Sequence, residues 1–187
     1  MHELLEGQLH HMSAMVGAVH DVSRITSGRL LLQTERIDLQ ALLSKAIEAL
    51  EPALARRTQT LVTAWPTLSL WVKADECRIE QVFVTLLTNA SKYSDVGAAI
   101  ALSLNAQDGC AIVRVKDSGI GISPEALTHI FDVFMQADVE SVRCRSSMGT
   151  GLAPARRIVQ AHGGSVTALS AGLGQGSEFI VRLPAEA

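Results

Sequence analysis

Aromatic side chains are scarce in this chain, at 4% of its 187 residues. A core must therefore be assembled from leucine, valine, isoleucine and alanine rather than from stacked rings. Cysteine is nearly missing as well: Cys77, Cys110 and Cys144 are odd in number, widely spaced, and form no Cys-x-x-Cys pair. That argues against a disulfide framework or a cysteine zinc site and points to a reduced, cytoplasmic setting. Cys144 is open to two readings, an incidental exposed thiol or a redox sensor. No run of about 18 uncharged apolar residues occurs, so this segment is expected to make no membrane contact. Met1-His2-Glu3 does not begin a basic-then-apolar leader. Charge of one sign is not in excess either. With 16 Lys and Arg against 19 Asp and Glu, the net charge of -3 offers no footprint for nucleic acid.

What is present is a chain 48% apolar, long enough for one sizeable core plus an appendage. Leu5, Leu9, Met12, Met15, Val16, Val19, Val22 and Ile25 recur at three- and four-residue steps, which predicts one long helix over residues 3–33. Its apolar stripe needs a partner helix, from this chain or a second protomer. Asp38 reads as the N-cap of a second helix with Leu39, Leu42, Leu43, Ala46, Ile47 and Leu50 on one face. Leu61–Trp65 and Leu70–Val72 read as strands separated by a turn at Pro66. Asp75 starts a helix through Lys92 that buries Ile79, Val82, Phe83, Leu86 and Leu87.

Residues 98–105 and 110–116 form a hairpin around Gln107-Asp108-Gly109. Ser123-Pro124-Glu125 is a helix start, with a capping hydroxyl and proline at the first helical position. Residues 136–148 read as loop, 151–161 as helix, and 166–169 and 178–183 as closing strands turned by Gly172, Gly174 and Gly176. The fold class expected is α+β, a two-layer α/β sandwich of mixed sheet against helices preceded by a long helical arm. Residues 1–36 are the arm and residues 37–187 the domain.

Three blocks carry chemistry. Asn89 and Lys92 share a helical face; the carboxamide oxygen suits magnesium and the ammonium suits phosphate, although the same pair could simply cap a helix end. Asp117 precedes Ser118-Gly119-Ile120-Gly121. A carboxylate there could accept from the exocyclic amine of adenine, with Gly119 and Gly121 letting the backbone approach the ring; an ordinary Asp-Ser-Gly turn is the alternative. Gly149 and Gly151 precede a helix whose free amides could hold phosphate oxygens, with Arg143 and Arg145 adding charge. The spacing is neither a P-loop nor a Rossmann fingerprint.

In order and spacing these blocks resemble the ATP-binding core of sensor histidine kinases, within the superfamily shared with gyrase, MutL and heat-shock chaperones. Asp75–Ser94 resembles the asparagine block, Asp117–Ile122 the first glycine block, and Phe131–Gln136 the phenylalanine block. Ser147–Leu152 followed by Ile158–Gly164 resembles the second glycine block and the passage after it. His11-Met12 and Asp21–Gly28 resemble the second helix of the dimerisation hairpin. The resemblance implies ATP and magnesium, with Asn89 as metal ligand. It implies a nucleotide-contacting set of Asn89, Lys92, Tyr93, Asp117, Gly119, Gly121, Ile122, Phe134, Arg143, Arg145, Gly149, Thr150, Gly151 and Leu152, and a lid over about 134–150. It further implies a response-regulator receiver domain as partner.

The sequence also departs from that pattern. The family's acceptor histidine lies on the first hairpin helix before a proline; His2-Glu3 has no such proline and sits too close to Asp21. The expectation is a fragment cut between the hairpin helices that does not phosphorylate itself. His10, His11 and His20 read as arm residues. Thr85 stands one turn before Asn89, where histidine kinases have another asparagine and ATPase relatives a glutamate base; this disfavours water activation. Ser147 replaces the first glycine of the lid motif, and Pro154 could delay or distort the helix after Gly151. A kinase half, a nucleotide-binding pseudokinase and a superfamily ATPase are the three readings, the last opposed by Thr85 and the arm.

Overall fold

The helix starts are set locally, by short polar side chains placed just ahead of apolar runs. The computed structural model describes residues 32–132 and 152–186. Residues 1–31 of the expected arm, with His2, His10, His11 and His20, lie outside the described residues, as do the expected lid with Cys144 and Ser147. Asp38 caps α1 (Leu39–Arg56), its carboxylate accepting from Gln40 N–H at 2.9 Å. Asp75 caps α2 (Glu76–Tyr93), accepting from Arg78 N–H at 3.2 Å. The Ser123 hydroxyl accepts from Ala126 N–H at 3.2 Å to start α3 (Pro124–His129), with Pro124 in the first turn. Each cap satisfies a donor that the helix leaves orphaned. At the α3 start, its own backbone N–H and then the Ser123 hydroxyl hold the Glu125 carboxyl below its usual range.

The fourth helix, α4 (Leu152–Ala161), begins without delay although Pro154 is its third residue. A proline there removes an N–H that has no intrahelical partner anyway, so the late start expected from Pro154 is not seen. Two helix ends share one device. At the end of α4, Gly164 N–H donates to Val159 O and Gly163 N–H to Gln160 O, with Gly163 at φ +72°. At the end of α1 the same pair of bonds runs from Gln59 N–H to Leu54 O and from Thr58 N–H to Ala55 O. Here the left-handed position is occupied by threonine, at φ +50°.

Among the described residues seven strands form one sheet in the order β1-β3-β7-β5-β4-β2, with β6 also paired to β7. They are β1 (Glu35–Asp38), β2 (Thr60–Ala64), β3 (Trp71–Ala74), β4 (Ala99–Gln107), β5 (Cys110–Asp117), β6 (Ser165–Leu169) and β7 (Ser177–Glu186). All neighbours are antiparallel except β2 and β4. The β4–β5 hairpin closes on Asp108 and Gly109, both at positive φ, in the two-residue geometry such strands favour. The short β1 was not expected: only Ile37 within it is buried, so it lacks a repeating pattern. Glu35 and Arg36 pair with Ala74 and Lys73. β2 and β3, consecutive in sequence, stand far apart in the sheet.

The helices cover one face. Ile100, Leu102 and Leu104 of β4, Ala111, Val113 and Val115 of β5, and Phe179, Val181 and Leu183 of β7 alternate into that layer. They meet Leu39, Leu43 and Leu50 of α1, Ile79, Phe83, Leu86 and Leu87 of α2, and Ile158 and Val159 of α4. α2 packs against both α1 and α4, with Lys45 of α1 bonded to Glu76 of α2. His162, just past α4, accepts from Asp75 N–H through Nε2 at 2.9 Å and donates from Nδ1 to Ile158 O at 2.7 Å. One imidazole thereby ties the end of α4 to the cap of α2.

Candidate nucleotide site

The buried face of α2 dictates where its polar residues stand. Ile79, Val82, Phe83, Leu86, Leu87, Ala90 and Ser91 face the core, which leaves Thr85, Asn89 and Lys92 on an adjoining strip at helical spacing. Asn89 and Lys92 are half-buried near the C-terminal end. The Lys92 ammonium stands over the Tyr93 ring, 5.3 Å from its centroid. The Tyr93 carbonyl accepts from Ile120 N–H at 3.1 Å. Two predicted blocks thus meet: the end of α2 and the stretch that holds Asp117 at the end of β5, then Gly119, Gly121 and Ile122 ahead of α3.

Asp117 is the last residue of β5 and only 6% exposed. Its Oδ1 accepts from Gly119 N–H at 2.8 Å and Ser177 N–H at 3.3 Å, and its Oδ2 from the Ser177 hydroxyl at 2.5 Å. An ionised carboxylate offers roughly four acceptor directions, so these three bonds leave one on Oδ2 for an incoming donor. The ladder sets this geometry, because Asp117 lies opposite Ser177 at the β5–β7 end.

The structure gives the glycines a reason other than access for a ring. A Cβ on Gly119 would sit 2.2 Å from Tyr93 O, and one on Gly121 would sit 2.0 Å from Gly172 O. Gly121 also has φ +69° and Gly176 φ +68°. Backbone packs directly on backbone: Gly174 N–H donates to Ile120 O at 2.7 Å and Gly176 N–H to Gly119 O at 3.1 Å. Ser170 completes the join, accepting from Ile122 N–H at 3.0 Å and donating to Gly176 O at 2.7 Å. Ser170, Gly176 and Ser177 were not singled out in the sequence, where the glycines at 172, 174 and 176 read only as a turn. Their alternate spacing directly before a strand was the available signal.

Leu152 heads α4, half-buried, and Phe131 marks the start of the phenylalanine block, with its ring edge-on to Phe179 at 6.4 Å and Arg156 over it at 5.4 Å. The predicted residues Phe134, Arg143, Arg145, Gly149, Thr150 and Gly151 lie outside the described residues.

Residues 74–187 match the family described as histidine kinase-, DNA gyrase B-, and HSP90-like ATPase. The chain belongs to that family. Among its relatives, the sensor histidine kinase TrcS of Mycobacterium tuberculosis is 36% identical over 185 residues, 96% of this chain but 35% of TrcS. This chain therefore spans about a third of that relative's length. Among solved structures, the Acinetobacter baumannii histidine kinase AdeS superposes with TM-score 0.81 at 25% identity, covering 99% of this chain and 84% of that one. Full-length ShkA in complex with AMPPNP superposes with TM-score 0.82 at 28% identity, over 95% of this chain and 36% of ShkA. The mixed sheet backed by helices is the fold of the histidine kinase ATP-binding domain.

Thr85 stands one turn before Asn89 on α2. Its hydroxyl donates to Gln81 O in its own helix, at 2.8 Å. Among the described residues there is no cluster of three or more His, Cys, Asp or Glu able to hold a metal ion. A divalent ion beside Asn89 would take its other ligands from phosphate and water, the mode magnesium prefers. A half-buried carboxamide on a rigid helix fits that role.

Proposed function

We propose that this chain is the nucleotide-binding half of a two-component sensor kinase, which binds ATP and donates its γ-phosphoryl group to a histidine on a dimerisation helix. The observation that carries the reading is Asp117: a buried carboxylate at a strand end, held by three donors and keeping one acceptor direction on Oδ2. An adenine amine can satisfy it; guanine places an oxygen there and cannot. Lys92, on the neighbouring helix end, supplies positive charge toward the phosphates. Asn89 would hold a magnesium ion, which would supply positive charge against the phosphates.

Arg143, Arg145, Gly149, Thr150 and Gly151, which precede α4 in sequence, would supply further contacts to the phosphates. In the transfer, the bond from Pγ to the ADP oxygen breaks as a bond to an imidazole nitrogen forms, and the imidazole proton is released to water. Thr85 presents no base to activate water, so histidine is favoured as acceptor over hydrolysis. The phosphohistidine would then serve the aspartate of a response-regulator receiver domain. A cytoplasmic location, with a second protomer or the other hairpin helix against the arm, completes the proposal.

The test starts with titration of an ATP analogue with and without magnesium. We expect magnesium-dependent binding that Asn89→Ala largely abolishes; an unchanged affinity in that variant removes Asn89 from the site. Incubating the chain and labelled ATP with a dimerisation hairpin that carries the acceptor histidine should give an acid-labile phosphohistidine. Tight ATP binding without label would mean that phosphotransfer is not its function.

A further inference from the structure

On the side of α2 opposite Asn89 lies a buried polar cluster that the proposed chemistry does not use. Gln59 is 7% exposed, Ser91 3% and Ser94 3%. The Gln59 Nε2 donates to Ser91 O and to Asp95 O, both at 2.9 Å, and its Oε1 accepts from the Ser91 hydroxyl at 2.6 Å. Arg57 donates to Ser94 O at 2.8 Å, and Gly97 N–H returns a bond to Arg57 O at 2.9 Å. A single side-chain amide thus grips both ends of the segment Ser91–Asp95, which contains Lys92 and Tyr93.

What aims Gln59 into this cluster is the turn at the end of α1. Thr58 holds φ +50°, a region that β-branched residues avoid, and the residue after it enters the core. At the end of α4 the same turn is made by Gly163 without strain. Strain of this kind persists where surrounding contacts over-determine the conformation.

We propose that Gln59 is a positioning residue of the nucleotide site, fixing the last turn of α2 and, through it, both Lys92 and the loop that follows Asp117. The inference rests on the nucleotide-binding reading above. Transmission follows from contact without slack. The Tyr93 carbonyl is the acceptor for Ile120 N–H, and it occupies the space a Gly119 side chain would fill. A small displacement of the helix end must therefore move the loop that follows Asp117, whose Gly119 N–H donates to Asp117 Oδ1, because closely packed backbone has no void to absorb it.

The experiment is calorimetric titration of the 187-residue chain with magnesium AMP-PNP, below the unfolding midpoint of every variant. Gln59→Met, close in shape but without the amide, should bind about tenfold more weakly. Combined with Lys92→Ala its effect should be less than additive, since both act on one helix end. Ser91→Ala removes one of the three bonds and should weaken binding by about threefold. Thr58→Gly keeps Gln59, relieves the turn, and should raise the midpoint at wild-type affinity.

Wild-type binding together with unaltered binding by Gln59→Met overturns the inference, whatever happens to the midpoint, because a purely structural role moves stability alone. Full additivity with Lys92→Ala overturns it equally. If Gln59→Met fails to fold, Ser91→Ala decides by the same criterion. No binding by the wild-type chain overturns the nucleotide reading itself, and this inference falls with it.

Discussion

Asp117 joins two roles, as the end of a ladder and as the acceptor of three hydrogen bonds. Replacing Oδ2 by an NH2 removes the charge from these bonds, forces the Ser177 hydroxyl to turn from donor to acceptor, and sets a donor where an incoming amine would need an acceptor. Asp117→Asn should therefore lower stability by about 1–3 kcal/mol, measured by denaturant unfolding. The preference for AMP-PNP over GMP-PNP should shrink in the same variant. A variant that keeps its preference would show that base choice lies elsewhere. Asp117 could be picked from the sequence because a carboxylate ahead of Ser-Gly-Ile-Gly is conspicuous. Its partner Ser177 could not, being 60 positions away and brought opposite only by the β5–β7 register.

At the scale of elements, capping chemistry was the most legible part of the chain. Asp38, Asp75 and Ser123 all start helices as their side chains predict. β1 was not legible, since four residues with one buried side chain carry no period. The α1–α2 pair offers a pH test. Lys45 has its pKa raised above 10.5, first by its hydrogen bond to Glu76 and then by that carboxylate's charge. A raised folded pKa means the contribution is fully present below the unfolded value and is lost as pH rises through the folded one. Lys45→Met should therefore show a deficit against wild type at neutral pH that disappears in strongly alkaline solution. Both side chains are substantially exposed, so the neutral deficit should also diminish in high salt. A deficit independent of pH would assign the effect to packing instead.

For the whole molecule, protection against exchange should follow the sheet order. β5 and β7 lie inside the sheet and carry Val113, Val115 and Val181 in the core, whereas β1 and β2 are edges. Hydrogen exchange should be slowest in β5 and β7 and fastest in β1 and β2. Uniform protection across the sheet would contradict the edge assignment.

Taken alone, the sequence determined the helix starts, the alternating core strands, the hairpin at Asp108-Gly109 and the residue types of a nucleotide site. All of these depend on neighbours within a few positions or on periodicity along one element. Only the tertiary structure decided that β2 and β3 separate, that Ser177 joins Asp117 while Ser170 joins Ile122 to Gly176, and that the glycines accommodate protein backbone. It alone placed Gln59 beneath the end of α2. Each of these depends on strand register or on buried polar groups finding partners across the fold, and neither leaves a local pattern in the chain.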